Sequence, residues 1–470
     1  MKLYNTLSKK VEQFIPLKTD GVTVYSCGPT LYDNAHIGNL SAFIAADTLI
    51  RTLRASGFNV TNVMNLTDVD DKTIRRSQEK YPELDPMEAL TKLTRGYETA
   101  FKEDLEMIGN DTTMFIRATD TIHKMQRLIQ QLFDGGFAYI AKDGVYFSID
   151  AYIKSGKTYG QLTNIDSNNT AQERISNDEY DKESAHDFAL WKIAKENEPS
   201  WDFVLDKKKL HGRPGWHIEC STMSTMMLGQ PFDIHTGGVD LIFPHHENEI
   251  AQSTAGKDES YANFFMHSEH LLVDGKKMSK SLQNFYTYED FKARAVDPLA
   301  FRLLVLQSHY RQQSDFTWGN VEAAARRLHN WRNNAALFIQ YIEGSEEDGN
   351  KQLELIKSAK TAVLGALQND LGTPRMIAVV EGLFTAVADG IFDEAKEEYN
   401  SFLQLVDNLT GLQLQRSFYD TTGDQDDLLI QRFEARLNKD YVKADELREE
   451  LRKLGLSVRD TPNGQIWSRI

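Results

Sequence analysis

Residues 21–68 read as a strand, a helix and a second strand, and this order restricts the possible folds more than any other feature of the chain. The stretch "GVTVYSC" alternates apolar and polar residues, as a strand does. Residues 37–54 carry apolar side chains at helical spacing, and Gly57 marks the end of that helix. "FNVTNVMNLTD" then reads as a second strand. Strands joined by such a helix pair in parallel, so we expect a parallel sheet whose ligand site lies at the carboxyl ends of its strands.

Bulk composition limits the classes of protein that remain. The chain has 470 residues, enough for roughly two to four domains. Its formal net charge of −16 argues against a general nucleic-acid coat protein, because such binding requires Lys and Arg to neutralise phosphates. The sequence has no apolar run long enough for a transmembrane helix and no signal-peptide core near its start, so we expect a cytoplasmic protein without a membrane span. Two cysteines cannot form a disulfide framework.

The texture of the sequence divides the chain into an α/β part and a helical part. We expect a Rossmann-like parallel-sheet domain with an insertion, followed by an α-helical bundle and a small C-terminal domain. The expected segments are 1–120 and 211–260 for the two halves of the sheet domain, 121–210 for the insertion, 261–315 for a region bearing "KMSKS", 316–414 for the bundle and 415–470 for the C-terminal domain. A polar run at 166–187 reads as a loop, and 415–425 reads as a linker.

Two short motifs point to phosphate chemistry. "KMSKS" places Lys277 and Lys280 three residues apart, which suits the neutralisation of a triphosphate. "HIGN" places His36 at the start of the predicted helix, and Gly38 lets the backbone approach a ligand. A solvated basic turn and a structural histidine are the alternatives when each motif is taken alone.

The two cysteines raise a separate question. Cys27 ends the first predicted strand, and Cys220 lies almost two hundred residues further on. Downstream, His245 and Glu249 are four residues apart and would share one face of a helix. Two thiolates, an imidazole and a carboxylate make a plausible Zn²⁺ ligand set. Spacing alone leaves this interpretation level with buried thiols beside a solvated His/Glu helix.

The motifs together resemble a known family. "HIGN" followed by "KMSKS" is similar to the paired signatures of class I aminoacyl-tRNA synthetases. "SCGPTLYD", "GRPGWHIEC" and "FDIHTGG" with "FPHHENE" resemble the cysteinyl-tRNA synthetases within that class, and the resemblance covers essentially the whole chain. One departure is Asn39, where the family pattern has a second histidine.

The resemblance implies a role for each matching residue. It implies catalytic roles for His36, Asn39, Lys277 and Lys280, and ATP binding by these residues together with Gly38, Gly237, Gly238 and Asp240. It implies an amino-acid pocket lined by Thr67, Trp216 and His235. It implies zinc held by Cys27, Cys220, His245 and Glu249, with His246 as the adjoining alternative.

The C-terminal segment is expected to contact RNA. Residues 431–459 carry a small local excess of positive charge, against the acidic balance of the whole chain. The resemblance makes 261–315 a stem-contact region and 415–470 an anticodon-binding domain. The candidate tRNA contacts are Arg436, Asp445, Asp460 and Trp467.

The implied function is ATP-dependent ligation of L-cysteine to tRNA(Cys). One Zn²⁺ per chain would recognise the substrate thiolate, because a hydrophobic pocket separates cysteine poorly from serine. ATP would be a substrate together with Mg²⁺, and a monomer is expected. Two rivals are a ligase that joins cysteine to an amino sugar and an inactive relative that binds only RNA or zinc. The segment after residue 415 argues against the first, and the intact lysines and metal ligands argue against the second.

Overall fold

The computed structural model describes residues 1–111, 113–163, 187–278, 284–340, 342, 345–415 and 421–470. The chain divides into two compact units, Met1–Ala293 with Tyr310–Asp315, and Arg294–His309 with Phe316–Ile470. The predicted polar loop at 166–187 lies almost wholly outside the described residues, and the predicted linker at 415–425 lies partly outside them.

The first unit combines strands and helices in alternation. In chain order its elements are β1 Lys2–Asn5, β2 Lys10–Gln13, β3 Val22–Ser26, α1 Ile37–Ala55, β4 Val60–Leu66, α2 Asp71–Lys80, α3 Pro86–Met107, β5 Met114–Arg117, α4 Ile122–Asp134, β6 Ala138–Ile140, β7 Gly144–Phe147, α5 Ile149–Lys154, β8 Phe188–Ile193, β9 Val204–Leu205, β10 Lys208–Lys209, β11 Gly212–Pro214, α6 Trp216–Leu228, β12 Phe232–Gly238, α7 Glu247–Thr254, β13 Ala262–Ser268, β14 Leu271–Val273, β15 Lys276–Lys277 and α8 Tyr288–Ala293.

A five-stranded parallel sheet forms the centre of this unit, in the order β13-β12-β3-β4-β5. Its middle strands are nearly continuous runs of buried residues, because both faces of the sheet are covered. The expected parallel sheet and its first βαβ unit are confirmed.

The carboxyl ends of the middle strands converge on one edge of the sheet. Cys27 follows β3, and Thr67 follows β4 and bridges to Thr30 in the loop after β3. Gly238 ends β12, and β12 pairs with β3 on the side of β3 opposite to β4. Residues from three separate strands therefore meet where a parallel sheet places its ligand site.

The inserted segment forms its own antiparallel sheet, in the order β11-β8-β7-β6. β11 belongs to this sheet, so the predicted start of the second half at residue 211 divides it. β13 belongs to the central parallel sheet, so the predicted boundary at residue 261 divides that sheet as well. Both expected boundaries coincide with changes in residue pattern, whereas hydrogen bonding between distant strands determines which strands share a sheet.

Helices dominate the remaining chain. Its elements are α9 Pro298–Leu306, β16 Ser314–Phe316 at the border between the units, α10 Trp318–Ala335, α11 Glu346–Gln368, α12 Thr373–Ala386, α13 Asp393–Thr410, α14 Gly423–Leu437, α15 Tyr441–Lys453, β17 Leu456–Thr461 and β18 Gly464–Arg469. β17 and β18 form a hairpin that shares a small apolar cluster with α14 and α15. None of the described helices has both the length and the apolar character that a membrane crossing needs.

Candidate active site

The four predicted metal ligands come together at the carboxyl edge of the central sheet. Cys27 follows β3, Cys220 lies in α6, and Glu249 lies in α7. His245 lies in the helical turn Ile242–His246 that leads into α7. All four side chains are buried, and their ligand atoms lie within 4.8 Å of one another.

The distances within this group fit a tetrahedral metal site. The two sulfur atoms are 3.8 Å apart, and both cysteines are free thiols. Two thiolates with Zn–S distances of about 2.3 Å in a tetrahedral site lie about 3.8 Å apart. His245 Nε2 lies 3.0 Å from Glu249 Oε1, and Cys27 Sγ lies 3.9 Å from the same oxygen.

A second group of four possible ligands shares Cys27 and Glu249 with the first and adds His235 and His246. Cys27 Sγ is 3.3 Å from His246 Nε2, and His235 Nε2 is 2.9 Å from Glu249 Oε2. The second ring nitrogen of His246, Nδ1, lies 2.8 Å from His267 Nε2. The geometry therefore keeps His246, the alternative raised by the sequence, within reach of a metal.

The buried groups of this cluster shift one another's pKa values, and burial raises the pKa of the Cys27 thiol well above its usual value. Burial opposes ionisation of Cys220, but the hydrogen bond with Cys27 and the nearby His245 outweigh it and lower the pKa of the Cys220 thiol to about 6. Burial also opposes ionisation of Glu249, yet His235 and His245 hold its pKa well below the usual range. Burial lowers the pKa of His245, but Glu249 and Cys220 outweigh that effect and raise it to about 10.

Several supporting residues were not predicted from the sequence. His217 Nδ1 lies 2.9 Å from His245 Nδ1, and the Tyr261 hydroxyl donates to Glu249 Oε2 over 2.7 Å. His267 also lies 2.8 Å from the Thr6 hydroxyl. A buried histidine or tyrosine in a strand or helix is usually a core residue, so the sequence offered little signal for them beyond their closeness to the motifs.

The three predicted amino-acid-pocket residues lie around the same cluster. The Trp216 ring packs on the His245 ring with a centroid separation of 4.0 Å. His235 is fully buried and bonded to Glu249. The Thr67 hydroxyl donates to Glu219 Oε2 over 2.9 Å, and burial raises the pKa of the Glu219 carboxyl well above its usual value.

The "HIGN" residues form the start of helix α1. The Asn39 backbone N–H donates to His36 Nδ1 over 3.2 Å, and the His36 backbone N–H donates to Asn39 Oδ1 over 3.3 Å. This reciprocal capping box gives Asn39 a local role that the family pattern did not explain. It also places the proton of the neutral His36 ring on Nε2.

The two nucleotide motifs lie against each other. A Cβ added at Gly38 would lie 2.3 Å from the terminal carbon of Met278 in "KMSKS". The His36 ring also packs edge-on to Phe285 with a centroid separation of 4.5 Å. Lys277 ends β15 and is exposed, whereas Lys280 lies outside the described residues.

The loop after β12 carries the other predicted ATP contacts. A Cβ at Gly237 would lie 2.8 Å from His246, and one at Gly238 would lie 2.4 Å from the Asp240 carboxylate. Both glycines therefore permit close packing at this edge of the sheet. Asp240 lies in the single turn Val239–Leu241 that follows.

In the second unit, three of the four predicted tRNA contacts are on the surface. Arg436, Asp445 and Asp460 are exposed. Asp460 accepts two hydrogen bonds of 3.0 Å from the buried Arg432 and pairs with Arg436 at 3.3 Å. Trp467 is only 8% exposed and packs in the domain's apolar cluster. The contact of Trp467 with tRNA stays a prediction, and in this structure the ring packs inside the apolar cluster instead of lying open on the surface.

Comparisons with known proteins agree with this architecture. Residues 13–326 match the sequence model described as the tRNA synthetases class I (C) catalytic domain, and residues 420–467 match the cysteinyl-tRNA ligase anticodon binding domain. A methionyl-tRNA synthetase of Mycobacterium tuberculosis bound by methionyl-adenylate superimposes with a TM-score of 0.60 at 14% identity, over 85% of this chain and 93% of that one. The catalytic domain therefore belongs to the class I aminoacyl-tRNA synthetases.

Full-length relatives narrow the assignment. The cysteine–tRNA ligase of Brachyspira hyodysenteriae is 39% identical, over 99% of this chain and 98% of that protein. The cysteine–tRNA ligase of Thermococcus gammatolerans is 37% identical, over 100% of this chain and 99% of that protein. The chain belongs to the cysteine–tRNA ligase family.

Proposed function

We propose that this chain activates L-cysteine with ATP and transfers it to the 3′ end of tRNA(Cys). The observation that carries the proposal is the pair of buried thiols 3.8 Å apart, completed by His245 and Glu249, at the ligand edge of a parallel sheet. Hydrophobic contacts alone discriminate weakly between side chains as similar as those of cysteine and serine. A site built around a sulfur-preferring metal fits that task.

The chain's own residues fit one Zn²⁺. Cys27, Cys220, His245 and Glu249 would hold it, and the sulfur separation and the low pKa values of Cys220 and Glu249 support this set. When bound, zinc supplies a soft Lewis-acid centre that prefers a thiolate to an alcohol. Glu249 is oriented by Tyr261 and His235, and His245 is oriented by His217, so the ligand atoms are held before any metal arrives.

The activation step needs positioning and charge stabilisation more than a nucleophilic side chain. A carboxylate oxygen of cysteine attacks the α-phosphorus of ATP. The bond from that phosphorus to the oxygen bridging it to the β-phosphorus breaks, and pyrophosphate leaves. Mg²⁺ usually accompanies the released pyrophosphate. His36 presents its Nε2 proton, and Lys277 and Lys280 supply positive charge for the phosphates. Gly237 and Gly238 allow close approach of the nucleotide, and Asp240 accepts from a ribose hydroxyl. Asn39 acts through its cap of α1.

The transfer step uses the second unit for tRNA selection. A ribose hydroxyl at the tRNA 3′ end attacks the acyl carbon of cysteinyl adenylate, and AMP leaves. Arg436, Asp445 and Asp460 contact the anticodon from an exposed surface. The match of residues 420–467 to an anticodon-binding domain supports this role.

Two sequential assays test the proposal. The purified protein is expected to catalyse cysteine-dependent ATP–pyrophosphate exchange and then to load cysteine onto purified tRNA(Cys). Serine at the same concentration is expected to support neither reaction. Absence of exchange would contradict the enzymatic proposal, and exchange without loading of tRNA would favour ligation to a small amine such as an amino sugar.

A further inference from the structure

A buried arginine joins helix α14 to the C-terminal hairpin. Arg432 lies in α14 and is only 1% exposed, although an arginine side chain usually reaches water. Its Nη1 and Nη2 atoms donate to the two carboxylate oxygens of Asp460, each over 3.0 Å. Nη1 also donates to Gln465 Oε1 over 2.8 Å. Asp460 and Gln465 are paired residues of β17 and β18, so one guanidinium group holds both strands of the hairpin.

The second partner of Arg432 is itself fixed in orientation. Gln465 Nε2 donates to the carbonyl oxygen of Leu429 over 2.7 Å, one turn earlier in α14. A guanidinium group can only donate, so the oxygen of the Gln465 amide must face Arg432. The two parallel hydrogen bonds to Asp460 also restrict its carboxylate to the geometry of the guanidinium fork. Arg432 therefore determines the direction in which the Asp460 carboxylate points.

Stability alone does not account for this arginine. Its Nε atom is buried and has no hydrogen-bond partner among the described residues. A buried donor without a partner lowers the free energy of unfolding, and replacing a buried ion pair by apolar side chains is often neutral or stabilising. The network therefore points to a role for its exposed end, which is the Asp460 carboxylate.

Asp460 brings this network to the surface as a charged acceptor. Its side chain is 36% exposed. Burial opposes ionisation of the carboxyl, but the hydrogen bonds from Arg432 outweigh it and, together with the charges of Arg432, Arg436 and Arg448, lower its pKa below the usual value. An ionised carboxylate has no proton to donate, so Asp460 can only accept hydrogen bonds.

The observed contacts leave one acceptor position open on this carboxylate. Each oxygen of an ionised carboxylate can accept about two hydrogen bonds. Oδ2 accepts from Arg432 and lies 3.3 Å from Nη2 of Arg436. Among the residues that the structure describes, Oδ1 accepts from Arg432 alone. The open position on Oδ1 suits an N–H group on the edge of an unstacked nucleobase.

We propose that Arg432 is a positioning residue for anticodon recognition. From inside the domain it holds both oxygens of Asp460, so that Oδ1 offers its open acceptor position to an N–H group of one anticodon base. Arg432 itself is buried and does not touch the RNA. The inference rests on the proposed function, because Asp460 is placed at the anticodon by family resemblance.

The test measures how well each variant discriminates between tRNA(Cys) transcripts with one base replaced at each of the three anticodon positions. Dissociation constants are measured without ATP or cysteine, so the comparison does not depend on catalysis. Arg432→Met removes the donors and keeps an apolar stem. Arg432→Lys keeps the positive charge, but a single ammonium group lacks the fork that binds both carboxylate oxygens. Asp460→Ala identifies the anticodon position that Asp460 contacts.

The expected result is a loss of discrimination at that one position. The wild type should bind the natural transcript about tenfold or more tightly than one with the wrong base there, the range for one hydrogen bond to a charged group. In Arg432→Met and Arg432→Lys this ratio should fall below about threefold. The ratios at the other two positions should not change, whereas general damage to the domain would lower all three.

A matched control and a double variant test the specificity of the effect. Arg459→Met removes the neighbouring arginine of β17, which pairs with Asp389 over 3.0 Å, and should keep all three ratios of the wild type. In the Asp460→Ala background, Arg432→Lys should lower the affected ratio no further, because Arg432 acts through Asp460. If Arg432→Met fails to fold, Arg432→Lys still decides between positioning and structural support.

Each contrary outcome has a separate meaning. Unchanged ratios in Arg432→Lys, an equal loss at all three positions, or a further loss in the Asp460→Ala background would overturn the inference. Discrimination by Asp460→Ala equal to that of the wild type would also overturn it. Failure of the wild type to load cysteine, with its anticodon discrimination intact, would instead contradict the proposed function and leave the role of Arg432 in place.

Discussion

At the residue scale, Gly28 shows how closely two stretches of main chain pack beside the candidate metal ligands. A Cβ built at this position would lie 1.8 Å from the Asn65 carbonyl oxygen and 2.8 Å from the Met64 side chain. The first of these neighbours is backbone of β4, which cannot move without disturbing the central sheet. Only glycine fits at this position, because a Cβ would collide with the Asn65 carbonyl. The close approach of the two main chains also helps to position the neighbouring Cys27.

Replacing Gly28 with alanine is therefore expected to destabilise the protein. Overpacking of this kind costs about 1–3 kcal/mol, and the displaced Cys27 should also weaken metal binding. Thermal unfolding and zinc content measure the two effects. Gly96→Ala is the matched control, because Gly96 lies in α3 with no atom within 4 Å of an added Cβ. A Gly28→Ala protein with the melting temperature and zinc content of the wild type would refute this account.

Cys220 carries the residue-scale prediction for the metal. Cys220→Ser replaces a thiol by an alcohol, which is a poor ligand for zinc. The variant is expected to lose bound zinc and most of its cysteine-dependent exchange. Elemental analysis and the exchange assay measure these losses, with chelator-treated wild type as the metal-free reference. A metal-free variant that kept full activity would show that zinc has no part in recognition.

At the scale of elements, α3 carries an unusual carboxyl group. Asp104 is 7% exposed, and burial raises its pKa to about 7, although Lys292 on α8 acts in the opposite direction. Glu289 and Glu103 raise the pKa further. The group is protonated in the folded chain at pH values where the unfolded chain has already released its proton. Its contribution to stability is complete below about pH 4 and is lost as the pH rises through about 7.

Asp104→Asn is expected to remove that dependence. The variant should unfold at a higher temperature than the wild type at pH 8, and the difference should shrink as the pH falls toward 5. Thermal melts across this range measure the effect. Glu106→Gln, on the exposed face of the same helix, should leave the pH dependence of the wild type in place. Parallel melting curves for Asp104→Asn and wild type at all pH values would contradict the assignment.

The elements also show what the sequence could predict and why. β3, α1 and β4 were predictable because each has a distinct period and the middle strands are long and buried. β11 is only three residues long and has no period of its own, so its partnership with β8 could not be read from the chain. The gathering of four candidate metal ligands in one buried cluster was predictable through two rare cysteines and a family resemblance, whereas zinc binding itself stays a prediction. Glu219 was missed because its partner Thr67 is 152 residues away and nothing local marks the pair.

At the scale of the whole molecule, the two units divide the proposed work. Among the residues that the structure describes, the candidate amino-acid and nucleotide contacts lie in the first unit, and the exposed candidate tRNA contacts lie in the second. The formal net charge is −16, so the protein as a whole does not attract the phosphates of RNA. RNA binding therefore depends on local groups. The expectations of a monomer and of a cytoplasmic location stay predictions.

This division predicts a selective defect. Arg436→Gln is expected to raise the KM for tRNA in cysteine loading by about fivefold or more, the range for loss of one arginine contact to a base. Its rate of cysteine-dependent pyrophosphate exchange should be unchanged, because that reaction uses the first unit. Arg326→Gln, an exposed arginine on α10, is the control for loss of surface charge. Equal tRNA kinetics in Arg436→Gln and Arg326→Gln would remove Arg436 from the proposed interface.

The separation of the candidate metal ligands along the chain also determines the order in which they are made during biosynthesis. Cys27 and Glu249 are 222 residues apart. At a synthesis rate of about 5–20 residues per second, Cys27 exists for roughly 10–45 s before Glu249 has been made. During that interval a newly made thiol lacks the partners that bury it in the finished protein. The proposed zinc could enter the complete four-residue site only after this delay, so its loading would belong to a later stage of the molecule's assembly.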